Sequence, residues 1–176
     1  MKELEQLVRT IPDFPKPGIL FRDVTTLLRD KRGLRATVEV FVERYASHKI
    51  DRVVGIEARG FILGGALAVG LGAGFVPLRK RGKLPGEVIG QDYALEYGTD
   101  RIELHVGAIE ARERVLLVDD LIATGGTALA ALELLSRVGA EVVEAAFIID
   151  LPDLGGAKLV AERGCTPFSL LSYPGH

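Results

Sequence analysis

Two acids, two threonines and two glycines within nine residues form the most chemically pointed stretch of this chain. Val115-Leu116-Leu117-Val118 reads as a buried strand and runs into Asp119-Asp120-Leu121-Ile122-Ala123-Thr124-Gly125-Gly126-Thr127. A helical pattern begins directly after it. Gly125 and Gly126 let the backbone turn tightly and come close to a ligand. Their N–H groups and the Thr124 and Thr127 hydroxyls then sit at a helix N-terminus. Unpaired donors and the helix dipole make that a cradle for phosphate. Asp119 and Asp120 cannot share the same phosphate, since like charges repel. They suit hydroxyl donors, and a ribose diol is the obvious pair. A ribose 5-phosphate fits the whole loop, with the diol on Asp119 and Asp120 and the phosphate on residues 123–127.

Two further strand ends carry cations. The apolar run ending at Ile56 leads into Glu57-Ala58-Arg59-Gly60-Phe61. An arginine there can aim a planar donor fork at phosphate oxygens. The apolar residues ending at Leu78 lead into Arg79-Lys80-Arg81-Gly82-Lys83, four cations in five residues. Alone, such a run reads as a solvated face or a weak nucleic-acid patch. Beside Arg59 and a ribose-phosphate loop it reads as a pyrophosphate clamp. A substrate with phosphates at both ends fits the combination.

The elements that must position these residues alternate. Helical spacing predicts helices over about 2–10, 31–47, 61–69, 127–138 and 157–163. Short apolar runs predict strands over 52–56, 75–78, 114–118, 141–150 and 168–171. A proline-rich turn covers 12–18. The alternation implies an α/β fold, a parallel sheet flanked by helices, in which ligands bind beyond the carboxyl ends of the strands. Residues 80–105 break the pattern and read as a lid or hood. Phe61 to Leu78 is 18 residues without a charge. Five glycines and Pro77 divide it into a buried helix, a turn and a strand, so no membrane span is expected.

At 176 residues the chain is expected to be a single domain. Its net charge of −2, from 22 basic and 24 acidic residues, argues against a generally cationic nucleic-acid binder. The charged N-terminus is unlike a signal peptide. The one cysteine, Cys165, excludes an internal disulfide and a cysteine-based zinc site. Three histidines at unrelated spacing offer no ligand set, so no dedicated metal site is expected. The 21 glycines exceed the roughly 12 of average usage and concentrate near the candidate phosphate loops and in residues 82–98.

The loop at 119–127 resembles the phosphoribosyl pyrophosphate signature of the type I phosphoribosyltransferases. Further segments narrow the likeness: Phe14-Pro15-Lys16-Pro17-Gly18-Ile19-Leu20-Phe21-Arg22-Asp23-Val24, Glu57-Ala58-Arg59-Gly60-Phe61, residues 79–86, Tyr93-Ala94-Leu95-Glu96-Tyr97-Gly98 and Phe168-Ser169-Leu170-Leu171-Ser172-Tyr173. Together they resemble the adenine phosphoribosyltransferases nearly end to end. Thr26 departs from the proline common there and lies outside the chemistry.

The resemblance implies transfer of a phosphoribosyl group from phosphoribosyl pyrophosphate to adenine, with magnesium, giving AMP and pyrophosphate in purine salvage. It implies the matching fold, with hood elements at about 1–30 and 80–105. Phe21 would stack on the base, Leu20 and Arg22 would offer main-chain hydrogen bonds, and Leu151 would cover the other face. Glu57, Ala58, Arg59, Lys80 and Lys83 would hold pyrophosphate. Asp119, Asp120, Ala123, Thr124, Gly125, Gly126 and Thr127 would hold the ribose 5-phosphate. Glu96, Tyr97 and Arg59 would act in catalysis, and the Glu57–Ala58 peptide would be cis. Magnesium would arrive with the pyrophosphate. A cytoplasmic homodimer is expected, with neither nucleic acid nor membrane as partner. Transfer to an oxopurine, or a non-enzymatic sensor of phosphoribosyl pyrophosphate, is the alternative.

Overall fold

The computed structural model describes residues 2–94 and 98–175. In chain order it contains α1 (Lys2–Leu7), β1 (Arg9–Pro12), β2 (Leu20–Asp23), α2 (Thr25–Arg29), α3 (Lys31–Tyr45), β3 (Arg52–Ile56), α4 (Gly60–Leu71) and β4 (Gly74–Lys80). Then follow β5 (Val88–Ala94), β6 (Thr99–His105), β7 (Arg114–Ile122), α5 (Gly126–Arg137), β8 (Glu141–Asp150), a 3-10 turn (Pro152–Leu154), α6 (Gly156–Glu162) and β9 (Pro167–Ser172).

Seven strands form one sheet in the order β5-β6-β4-β3-β7-β8-β9. The five from β4 to β9 run parallel, and the β5–β6 hairpin joins the β4 edge antiparallel. The chain leaves β3 toward β4 on one side and returns with β7 on the other. The strand order therefore reverses between β3 and β7, where a crevice opens at the carboxyl ends of such sheets.

Period-two alternation sends side chains to both faces of the sheet. Leu116 and Val118 of β7 pack with α3 and α4, whereas Val115 and Leu117 pack with α5 and α6. Each fully buried aliphatic side chain contributes about 1.5–3 kcal/mol. α3 starts at Asp30, whose carboxylate accepts from the N–H groups of Arg32 (2.9 Å) and Gly33 (2.8 Å). α4 stops at Gly72, whose φ of 66° glycine adopts readily.

Three local expectations are corrected. The first helix ends at Leu7, because Arg9–Pro12 pairs antiparallel with Leu20–Asp23 in a separate two-stranded sheet. α2 follows β2, where no helix is expected from the sequence. β7 runs on through Ile122, so Asp119 and Asp120 lie within a strand: β8 pairs with it as far as Ile122, while β3 stops pairing at Val118.

The close approach of α4 to the sheet rests on Gly60. A Cβ there would stand 2.8 Å from the Val118 carbonyl oxygen and 3.2 Å from the Asp119 Cα. Backbone cannot swing aside as a side chain can. Gly60→Ala is expected to cost about 1–3 kcal/mol, measured by urea unfolding; an unchanged midpoint would contradict this packing.

Candidate functional site

Two adjoining cavities beyond the strand ends gather part of the sequence-predicted set: Glu57, Lys80, Asp119 and residues 123–127. Asp120 is buried at the end of β7, and the half-exposed Arg59, at the start of α4, donates through Nε to its carboxylate. Desolvation works against the guanidinium charge, but Asp120, Asp119 and Asp23 outweigh it and raise the Arg59 pKa. Asp23, at the end of β2, accepts from Arg9 Nη2 (2.6 Å) and from the Thr25 N–H and hydroxyl. Asp119 points to the opposite face of the sheet and accepts from the Asp120 N–H (2.8 Å). Burial and the Asp120 charge push its carboxyl well above the ordinary carboxylate value.

Next comes the turn into α5. Gly125 holds φ at 84°, a conformation that L side chains rarely adopt. Gly156 braces the turn from behind, its N–H donating to the Ala123 carbonyl (2.9 Å). A Cβ on Gly156 would come within 2.3 Å of that oxygen and 2.6 Å of the Gly125 nitrogen. Ala123, Thr124, Gly125, Gly126, Thr127 and Asp119 line a cavity of about 130 Å³. First-turn N–H groups of a helix have no intrahelical partner, so they are available to an anion there.

A second cavity, about 260 Å³, adjoins the first through Asp119 and Thr127 and is lined also by Glu57, Lys80, Tyr93 and Asp100. The Glu57–Ala58 peptide is cis. Glu57 accepts from Arg79 Nε (3.1 Å), Arg79 Nη2 (3.3 Å) and the Lys80 N–H (3.0 Å). Burial raises its pKa, but Arg79, the Lys80 N–H and the nearby Lys83 together hold the carboxyl below its ordinary value. Lys80 Nζ lies 3.1 Å from Asp100 Oδ2, and that bond raises the ammonium pKa. Lys83 is exposed in the turn after β4, where its carbonyl accepts from Arg79 Nη1 (3.1 Å).

Leu20, Phe21 and Arg22 lie along β2. Phe14 meets the Phe21 ring edge-on at 5.2 Å between centroids. Arg22 donates to Thr10 Oγ1 (2.6 Å) and the Pro174 carbonyl (3.2 Å), and its guanidinium lies 4.8 Å from the Tyr173 ring centre. Leu151 is buried just past β8, its N–H donating to the Ile122 carbonyl (3.0 Å). Glu96 and Tyr97 lie outside the described residues.

Sequence reasoning left three contributors without a role. Gly156 follows Gly155 outside any of the motifs described above. Tyr93 and Asp100 sit opposite each other in the β5–β6 register, and no local signal marks that pairing. Among the described residues no group of three or more His, Cys, Asp or Glu side chains is placed to hold a metal, and no helix is long and apolar enough to cross a membrane.

Comparison with known proteins identifies the family. Residues 23–165 match the phosphoribosyl transferase domain. The chain is 62% identical over 170 residues to the adenine phosphoribosyltransferase of Methylobacillus flagellatus, covering 97% of each. It superposes on the adenine phosphoribosyltransferase of Rhodothermus marinus with a TM-score of 0.89 at 49% identity, covering 98% of this chain and 97% of that one. The Saccharomyces cerevisiae enzyme, solved with an imino-altritol bisphosphate and adenine bound, gives 0.90 at 41% identity, with 97% of each chain covered.

The raised Asp119 pKa has a consequence for stability. Between the ordinary carboxylate value and the raised one, the unfolded chain has lost its proton while the folded chain holds it. The fold is therefore weakened as pH climbs through that window and stays weakened above it. Asp119→Asn is expected to raise Tm at neutral pH, by an amount that shrinks toward about pH 4. A Tm gain independent of pH in thermal melts would contradict the charge as its cause.

Proposed function

This chain belongs to the adenine phosphoribosyltransferases within the phosphoribosyl transferase family, and from that premise we propose that it transfers the phosphoribosyl group of phosphoribosyl pyrophosphate to adenine. The observation that carries this reading is the adjacency of three subsites. Asp119 lines both a phosphate-sized turn at 123–127 and a cavity bearing Lys80 and Glu57, while Asp120, on the other face of the same strand, is held by Arg59.

The steps follow from the charges. A ring nitrogen of adenine attacks the anomeric carbon of ribose as the bond from that carbon to pyrophosphate oxygen breaks. The bonding pair leaves with pyrophosphate, and the base nitrogen gives up its proton. Positive charge develops on the sugar and negative charge on the leaving group. Arg59, Lys80 and Lys83 act on the leaving group, and fixed cations in a site shielded from water stabilise such a transition state by several kcal/mol. Asp119 and Asp120 hold the ribose hydroxyls and face the developing cation. Phe21 and Leu151 enclose the base, while Leu20 and Arg22 present main-chain groups to its edge. Glu96 and Tyr97 belong to the 80–105 segment, which with the first 30 residues forms the hood in this reading. Glu96 serves to steady the sugar cation or take the proton from the base.

The residues fit a magnesium ion carried in by the substrate. Asp119 and Asp120 offer hard oxygen donors, and a cation nearby would offset the burial and the Asp120 charge that together raise the Asp119 pKa. When bound, magnesium supplies charge neutralisation on the pyrophosphate.

The reading extends to a homodimer in the cytoplasm. Ile62 and Val69 are exposed on one side of α4, Val69 at 86%, and Phe75 on β4 is also exposed. A second copy of the chain would cover this apolar surface. Val69→Glu should then shift the sedimentation coefficient from dimer to monomer; a wild-type monomer would contradict the dimer.

The enzymatic reading is tested by supplying phosphoribosyl pyrophosphate, magnesium and each purine in turn. AMP is expected from adenine, with little product from guanine, hypoxanthine or xanthine. Arg59→Ala is expected to lower turnover by about two to three orders of magnitude. No AMP from adenine would overturn the assignment, and a near-normal rate for the variant would remove Arg59 from the mechanism.

A further inference from the structure

The β5–β6 hairpin carries two polar residues that the reaction as described does not use. Tyr93 and Asp100 are cross-strand partners, and Lys80 of β4 pairs with Ile102, two residues along β6 from Asp100. All three side chains therefore project from one face of the sheet, toward α5 and the phosphate turn. There they meet. Asp100 Oδ2 accepts from Lys80 Nζ and from the Tyr93 hydroxyl, each at 3.1 Å. Its Oδ1 accepts from the Arg101 N–H at 2.8 Å. Tyr93 lines the same cavity as Thr127, the last residue of the phosphate turn. The Tyr93 ring also lies within van der Waals reach of where a Gly126 side chain would begin, at 3.7 Å.

We infer that Asp100 is a positioning residue, which holds the Lys80 ammonium in the pyrophosphate cavity with Tyr93 bracing it beside the phosphate turn. The inference rests on the proposed function. Lys80 is 58% exposed, so packing does not fix its flexible four-carbon stem. Ordering such a side chain on binding costs about 0.5–1.5 kcal/mol. Asp100 orders it beforehand and occupies one of its three donors, leaving two for phosphate oxygens. The Arg101 N–H, Lys80 and Tyr93 together outweigh burial and keep the Asp100 pKa below its ordinary value, so the carboxylate stays charged. Because Asp100 cancels the Lys80 charge, its service to the substrate is geometric. A carboxylate that merely competed for Lys80 would have the opposite effect, weakening pyrophosphate binding for as long as it was present.

Calorimetric titration with magnesium pyrophosphate separates the two. Asp100→Ala is expected to weaken binding about three- to tenfold, and the loss should disappear in a Lys80→Ala background. Asp100→Asn, which keeps an acceptor for Lys80 and Tyr93, should recover most of the binding. In steady state the KM for phosphoribosyl pyrophosphate should rise by the same factor, while the KM for adenine stays within about twofold. If Asp100→Ala fails to fold, Tyr93→Phe carries the test, with about a twofold loss expected. Tighter or unchanged binding, or an equal loss with and without Lys80, would overturn the inference. A wild-type protein that binds pyrophosphate but makes no AMP overturns the functional reading alone. One that makes AMP and ignores Asp100→Ala overturns this inference alone.

Discussion

The bond between Arg59 and Asp120 ties together the two strand ends that the sheet topology pulls apart. β3 stops pairing with β7 at Val118, while β7 continues to Ile122 on the strength of β8. The four residues beyond the split therefore have a partner on one side only. Arg59 crosses that gap and neutralises a carboxylate that would otherwise be buried unpaired. Removing one partner of such a pair is far more damaging than never having built it. The arrangement also explains why Asp119 stands apart electrically. Its neighbour has the arginine, so Asp119, largely desolvated and facing the Asp120 charge, is only partly compensated by the Asp120 N–H and the Arg59 charge.

The same pattern recurs along the crevice. Arg79 is held by Glu57 and Lys80 by Asp100. Arg59 and Lys80, both assigned to the leaving group in the proposed reaction, and their neighbour Arg79 are thus held by the protein's own carboxylates. A near-neutral chain can in this way carry a strongly polarised pocket. Ligand binding becomes an exchange of partners, in which geometry already exists and little new ordering is required. The glycines serve that geometry from behind. Gly60 lets α4 lie against β7, and Gly156 lets the start of α6 lie against the phosphate turn. Both positions trade side-chain volume for backbone proximity.

Much of this was legible in the residues, for identifiable reasons. The parallel strands declared themselves because buried strands are apolar runs, and the strand ends stood out because charges follow those runs at once. The order of acids, threonines and glycines at 119–127 carried the phosphate turn. β1 and β2 were not legible: four-residue strands containing Arg9, Thr10 and Pro12 show no alternation, and each exists because the other pairs with it. The extension of β7 was hidden too, since Asp119 and Asp120 look like a strand terminus until β8 supplies a neighbour. The partners of the cations could not be read at all. Arg59 and Asp120 are 61 residues apart, and Lys80 meets Asp100 only through the register of the β5–β6 pairing, which the sequence does not show.

In the proposed reaction one crevice, at the reversal between β3 and β7, takes all three parts of the substrate. A crystal structure with a non-hydrolysable analogue of phosphoribosyl pyrophosphate and magnesium tests it most directly. The expected result is the 5-phosphate on the 123–127 turn, the ribose hydroxyls on Asp119 and Asp120, and the pyrophosphate between Arg59 and Lys80. A phosphate seated elsewhere, for instance among Arg9, Arg29 and Gln6 beside α2, with the turn left empty, would contradict it.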